Sequence, residues 1–181
     1  SGGPHCLAYG VTDAHVLALE VILPDGEMAV IGGLEPEPEG LDLRGAFVGS
    51  EGTLGITTKI GVRITKTPPD VRTLLLSFSS MRDAAQTVSA VIAAGIVPAA
   101  MEVMDQRITN AVESFVGAGY PIDAAAVLLV EVEGLIDGTE IEASHIREIG
   151  FEHGATNIRV ADSEQERELL WKGRKTAFGA I

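Results

Sequence analysis

The sequence predicts an α+β protein in two parts, and three observations carry that prediction. Before residue 68 the chain holds hairpin-like apolar runs without helical spacing. From residue 72 onward, short Val/Ile/Leu-rich runs alternate with segments whose apolar residues recur at helical spacing. Between them stands Thr67-Pro68-Pro69-Asp70, and a Pro-Pro pair cannot continue a central strand because neither nitrogen has a hydrogen to donate. A boundary is expected there, with residues 1–68 in one domain and 69–181 in another.

In the first part, Leu17 to Leu23 is strongly apolar, Pro24-Asp25-Gly26 has turn chemistry, and Glu27 to Ile31 returns. The three pieces read as a β-hairpin. Gly32 to Gly40, with two prolines and three glutamates, reads as a surface loop. Asp42 to Val48 reads as a short helix capped by Asp42 and stopped by Gly49. Next comes Gly49-Ser50-Glu51-Gly52-Thr53-Leu54-Gly55-Ile56-Thr57-Thr58, with three glycines in seven positions. It switches into a period-2 strand with Leu54, Ile56, Thr58, Ile60, Val62 and Ile64 on one face and Lys59, Arg63 and Thr65 on the other. The residues alone give a Gly-rich turn feeding an edge or half-buried strand. Glycine also lets a backbone approach a ligand closely, and successive N–H groups in such a turn can form a concave anion or carbonyl-oxygen site.

The second part opens with a strand at Arg72 to Phe78. Ser80 with Asp83 caps a helix whose stripe of Ala84, Val88, Val91 and Ile92 stops at Gly95. Val97 to Val103 is a second strand. Asp105 is the N-cap of a helix carrying Ile108, Ala111, Val112 and Phe115 and ending at Gly117. Along the strand Ala126 to Glu133, Leu128, Val130 and Val132 oppose Glu131 and Glu133, so the two acids read as solvated surface. Thr139 with Glu142 forms a capping box on a third helix, Asn157 to Ala161 is a fourth strand, and Ser163 with Glu166 caps a last helix. This alternation suits a sandwich with helices on one face of a small sheet.

Composition narrows the function classes. The chain has 181 residues, 46% of them apolar and 22% charged, as in soluble globular proteins. Its net charge of −13 comes without any Lys/Arg cluster, which argues against nucleic acid and anionic membrane as partners. A single cysteine excludes an internal disulfide and a multi-Cys metal site, and Cys6 reads as a small buried hydrophobe. The four histidines, His5, His15, His145 and His153, lack metal-ligand spacing, so no metal is expected. No apolar run approaches the roughly 20 residues of a membrane span. The Gly-rich turn has no Lys-Ser/Thr as a Walker A loop does, and it feeds a strand rather than the helix of a Rossmann motif. Arg167, Leu170, Trp171 and Arg174 fall at i, i+3, i+4 and i+7, which puts Arg174 on the face of the only tryptophan. A guanidinium there needs a carboxylate partner or a route to water. A structural ion pair, snorkelling and an anion anchor all satisfy that need.

Several motifs, in order along the chain, carry a family resemblance. Gly49 to Thr58 resembles the closing signature of the FAD-binding domain of vanillyl-alcohol-oxidase (PCMH) type flavoproteins. Gly2-Gly3-Pro4-His5-Cys6-Leu7-Ala8-Tyr9-Gly10 is similar to that domain's G-G-x-x-x-x-x-Y-G segment, and Val16 to Gly33 to its V-L-x-L-E-V-x-L-x-D-G hairpin. Glu102-Val103-Met104-Asp105, Ala118-Gly119-Tyr120-Pro121 and the run from Trp171 to Phe178 resemble the cap domain of the FAD-linked D-2-hydroxy-acid oxidases and dehydrogenases, in the branch of the bacterial glycolate oxidase flavoprotein subunit.

The resemblance implies the C-terminal part of an FAD-binding domain (1–68) followed by the first part of a ferredoxin-like cap (69–181), an internal fragment without the family's N-terminal lobe or later cap segment. It implies FAD bound between two α+β lobes, and oxidation of glycolate or D-lactate by hydride transfer to the flavin. FAD contacts are expected at Gly2, Gly3, His5, Gly49, Ser50, Glu51, Gly52, Gly55, Ile56 and Thr57, and Arg174 is expected to bind the substrate carboxylate. The base and metal ligands are expected outside this stretch. Companion electron-transfer subunits are implied too, with a cytoplasmic location, peripheral at the inner face of the membrane through those subunits. Two alternatives stand: a related FAD enzyme for D-2-hydroxyglutarate or an ether-lipid precursor, and a non-catalytic α+β assembly module.

Overall fold

The computed structural model describes residues 3–33 and 40–179, without the side chain of Phe178. The chain divides into two compact units, Ser1–Thr67 and Pro68–Ile181.

The N-terminal unit runs through α1 (Cys6–Tyr9), a 3-10 turn (Thr12–His15), β1 (Val16–Ile22), β2 (Met28–Gly32), α2 (Leu43–Phe47) and β3 (Ile56–Val62). Its sheet has the order β2-β1-β3, antiparallel throughout. The hairpin turn closes where Gly26 N donates to Leu23 O at 2.9 Å, with Gly26 at φ 87°. Gly45 N donates to Asp42 Oδ1 at 3.0 Å, which caps α2. Val16, Leu19 and Val21 form a small core with Ala29, Ile31, Phe47 and Val48. Of the expected loop from Gly32 to Gly40, residues 34–39 lie outside the described residues.

The strand after the Gly-rich turn differs from a half-buried one. Ile56, Ile60 and Val62 are 69%, 57% and 53% exposed, and Ile64 lies beyond the end of β3. The β1–β3 register shifts between Val16 and Ala18 and again between Glu20 and Val21. Each such irregularity moves the following residues to the other face, so simple alternation does not survive it. β3 is an edge strand.

The C-terminal unit contains β4 (Asp70–Phe78), α3 (Met81–Ala93), β5 (Ala100–Asp105), α4 (Gln106–Val116), β6 (Ala126–Gly134), α5 (Ile136–Glu152), β7 (Ala155–Val160), α6 (Glu164–Thr176) and a 3-10 turn (Ala177–Gly179). The strand order is β5-β6-β4-β7, and every pair is antiparallel. This is the ferredoxin-like β-α-β-β-α-β order, with α4 inserted between the second and third strands and α6 added after the fourth.

Helices cover both faces of this sheet, which corrects the expectation of one. Ala84 and Val91 of α3 and Ala143 and Ile146 of α5 pack on Leu74, Leu76, Phe78, Leu128 and Val130. Val112 of α4 and Leu170 and Trp171 of α6 pack on Leu75, Val127 and Leu129. The cause is visible in the central strands: every residue from Thr73 to Phe78 and from Ala126 to Val132 is buried. A strand apolar on both sides needs a cover on both sides. For the same reason Glu131, read as solvated surface, is only 4% exposed.

The caps at Ser80, Asp105 and Ser163 form as expected, with side-chain oxygens accepting from Asp83 N at 3.2 Å, Ile108 N at 2.9 Å and Glu166 N at 3.2 Å. The capping box at Thr139 does not form. α5 starts at Ile136 behind Leu135, and the Thr139 hydroxyl donates to Ile136 O and the Asp70 carboxylate, tying α5 to β4. β5 begins at Ala100 rather than Val97, past Pro98.

The contact between α4 and α6 depends on Gly173. A Cβ there would lie 2.6 Å from Tyr120 Cε2 and 3.0 Å from Val112 Cγ1. Gly173→Ala is expected to destabilise the protein by about 1–3 kcal/mol through overpacking. A thermal melt reads this directly, and an unchanged Tm would mean that the neighbours make room.

Tyr120 packs beside it, and its hydroxyl donates to Leu170 O at 2.6 Å. Burial pushes the phenol well above its usual range, and the Glu113 carboxylate adds to this, while Arg159 and Arg174 partly offset it. The unfolded chain ionises this group near pH 10, whereas the folded chain keeps the proton. Its contribution to stability is therefore complete below about pH 10 and is lost as pH rises beyond it. Tyr120→Phe should cost about 0.5–1.5 kcal/mol at neutral pH through the lost hydrogen bond. It should also flatten the decline of stability above about pH 10. Denaturant titrations on both sides of that pH check this; equal slopes in parent and variant would contradict it.

Candidate functional site

The Gly-rich turn leaves α2 with an unusual backbone. Gly49, Glu51 and Gly52 have φ of 88°, 54° and 80°. Glu51 is the one non-glycine with positive φ among the described residues. Such a conformation costs an L-residue roughly 1–2 kcal/mol, so the turn holds it against local preference. Ser50 O fixes the bend, accepting from Thr53 N at 3.0 Å and Thr53 Oγ1 at 2.7 Å.

The glycines serve different ends. A Cβ on Gly49 or Gly52 would meet nothing within 4 Å, whereas one on Gly55 would lie 2.7 Å from Ile22 O of β1. Gly55 is therefore required by strand packing. Gly52 is left-handed and open, so a flat ligand can reach the backbone there. The turn is exposed at Glu51, Gly52, Thr53 and Leu54, and beyond its two chain neighbours no atom lies within 4 Å of a Cβ placed on Gly52, so the backbone there is open to a group such as FAD.

Of the other expected cofactor residues, Gly2 lies outside the described residues. Gly3 N donates to Cys6 Sγ at 2.8 Å and Cys6 N to Gly3 O at 3.0 Å, closing a tight turn at the start of α1. Cys6 is half-buried, not buried, and its sulfur serves as that acceptor. Gly3, His5, Cys6, Tyr9, His15 and Thr65 are among the residues lining a cavity of about 410 Å³. The His5 ring meets Tyr9 edge-on with centroids 6.5 Å apart, and His15 Nε2 is 2.8 Å from Tyr9 O. The structure thus brings Gly3 and His5 to one cavity, whose lining does not include Gly49 to Thr57.

In the C-terminal unit, α6 carries Arg174 to a second cavity of about 410 Å³. Met81, Val103, Met104, Ile108 and Ala177 supply its apolar wall, with Asp105 and Arg174 as the charged members. Arg174 Nε and Nη2 donate to Glu102 Oε2 at 3.0 and 2.8 Å, and the two side chains are 26% and 19% exposed. The carboxylate partner left open by the sequence is thus Glu102 of β5. Earlier on the same helix face, Trp171 Nε1 donates to Glu131 Oε2 of β6 at 2.5 Å; that oxygen also accepts from Thr73 Oγ1 at 2.8 Å, with Arg167 Nη1 3.6 Å away. These bonds fix α6 on the sheet and so set where Arg174 emerges. An Arg fork beside an apolar wall can bind a small carboxylate whose remainder is uncharged.

Comparison with known proteins gives the class first. The chain belongs to the FAD-linked oxidase family: residues 67–181 match "FAD linked oxidases, C-terminal domain", which is more than half of its length. Among particular relatives, it is 42% identical over 181 residues to the glycolate oxidase subunit GlcD of Escherichia coli (strain K12), covering 100% of this chain and 36% of that protein. It is 32% identical to the probable mitochondrial D-lactate dehydrogenase of Danio rerio, covering 99% of this chain and 37% of that protein. The chain therefore spans little more than a third of these relatives. The fold recurs in a solved structure of alkyldihydroxyacetonephosphate synthase, at a TM-score of 0.74 and 16% identity over 100% of this chain and 35% of that one. The α+β fold of the vanillyl-alcohol-oxidase type is accordingly the fold of this chain. Among the described residues, no helix is long and apolar enough to cross a membrane.

Proposed function

We propose that this chain is part of an FAD-dependent oxidoreductase that oxidises a small D-2-hydroxy acid, glycolate or D-lactate. The observation that carries the reading is the 42% identity, sustained over the whole chain, to a protein named as a glycolate oxidase subunit. In this reading residues 1–68 close an FAD-binding domain and residues 69–181 begin its cap. Gly3, His5, Gly49, Ser50, Glu51, Gly52, Gly55, Ile56 and Thr57 contact the cofactor. The FAD, when bound, accepts the hydride from the substrate α-carbon. The chain's own part is to bind and orient. Left-handed Gly52 leaves its backbone open to the cofactor. Arg174 anchors the substrate carboxylate with a forked, charge-assisted contact. Companion subunits then take the electrons onward, and they place the protein at the inner face of the membrane.

Purified full-length protein tests this. It should be yellow, with a flavin absorption spectrum, and should reduce an artificial dye acceptor with glycolate or D-lactate. A colourless, folded protein would favour the assembly-module reading. Turnover confined to D-2-hydroxyglutarate would move the substrate assignment and keep the cofactor.

A further inference from the structure

We infer that Glu102 is a positioning residue for the substrate carboxylate, acting through Arg174. The inference rests on the anchoring role proposed for that arginine. It comes from how the pair is built. A guanidinium offers a side edge, Nε with Nη2, and an end, Nη1 with Nη2. Glu102 takes the side edge with a single oxygen, Oε2. Nη1 has no acceptor among the described residues, and Arg174 lines the apolar cavity beside Val103 and Ile108.

Arginine carries much rotamer freedom, and an arginine side chain that is 26% exposed is not fixed by packing alone. Glu102 stands on β5, which is hydrogen-bonded along its length to β6. A rigid strand thus holds one edge of the fork and leaves the end for a second carboxylate. The opposite effect is also physical: a neighbouring anion weakens the field that Arg174 presents to a ligand. The sign of the change on neutralising Glu102 separates positioning from mere charge balance.

The experiment uses the full-length flavoprotein with glycolate and D-lactate as substrates. Glu102→Gln keeps the shape and removes the charge that grips the side edge. The expected result is a KM raised about 10-fold, kcat within about 2-fold of the parent, and unchanged flavin content. Arg174→Met combined with Glu102→Gln should be no worse than Arg174→Met alone, because both act on one contact. A KM that is unchanged or lowered in Glu102→Gln would overturn the inference, as would additive losses in the double variant. Should Glu102→Gln fail to fold, Glu102→Asp keeps the charge but withdraws it by one methylene. It should raise KM to a smaller degree, and an unchanged KM there overturns the inference as well. If Arg174→Met alone leaves kcat/KM intact, the anchoring role itself has failed. Loss in Arg174→Met with none in Glu102→Gln removes only the role of Glu102.

Discussion

Arg174→Met should lower kcat/KM on glycolate or D-lactate by about two orders of magnitude while the protein keeps its FAD, a loss equivalent to about 2.7 kcal/mol of transition-state binding. A small hydroxy acid has little apolar area, so its carboxylate must supply much of its affinity and orientation. A charge-assisted hydrogen bond contributes about 1.5–3 kcal/mol where water is partly excluded. The cavity at Arg174 has that character, with an apolar wall from Met81, Val103, Met104, Ile108 and Ala177. Methionine keeps most of the side chain's length and removes its charge. The variant also leaves Glu102 without its ion-pair partner, so some fall in Tm is expected. A purely structural arginine predicts that fall together with normal kinetics in the folded fraction. Unchanged kcat/KM would end the anchoring role.

Gly52→Val and Gly55→Val should fail in different ways. At Gly52 a Cβ would meet nothing within 4 Å beyond its chain neighbours, but the backbone sits at φ 80°, where a β-branched residue is strained. The expected outcome in full-length protein is a folded, flavin-poor enzyme. At Gly55 the Cβ would lie 2.7 Å from Ile22 O. That conflict separates β3 from β1, so a destabilisation of about 3 kcal/mol or more, and with it loss of soluble protein, is expected. Flavin-to-protein absorbance ratios and melting curves distinguish the two. Stoichiometric FAD with normal turnover in Gly52→Val would remove the turn from the cofactor site.

Much of the fold was legible because its signals are local. Ser80, Asp105 and Ser163 announce helix starts by their own chemistry, and Gly117 stops α4 at φ 64°. What was missed depends on distant partners. The unbroken apolar run of β6 is the signal for helices on both faces, but Glu131 obscures it. Its burial follows from Thr73 and Trp171, which come from positions far away in sequence. The Thr139 hydroxyl bonds Asp70 of β4 and Ile136 O inside its own helix, so it does not cap the helix start. Of the candidate site, the helical spacing showed that Arg174 needed a partner, but Glu102 lies on a strand 72 positions earlier, and no periodicity reports that pairing.

The central place of β4 has a consequence for how the protein comes into being. β4 is the first strand of its sheet to leave the ribosome, yet Leu76 pairs with Leu128 on one side and Ile158 on the other. At about 5–20 residues per second, the second partner emerges roughly 80 residues, or on the order of 4–16 s, after β4 itself. Until Leu128 is made, a run of Leu74, Leu75, Leu76, Ser77 and Phe78 has neither neighbour, and until Ile158 is made it has only one. Such a segment is an attractive target for chaperones and for other nascent chains. Yield in the cell should thus respond to the pace of translation between residues 80 and 155 more than to the stability of the finished fold.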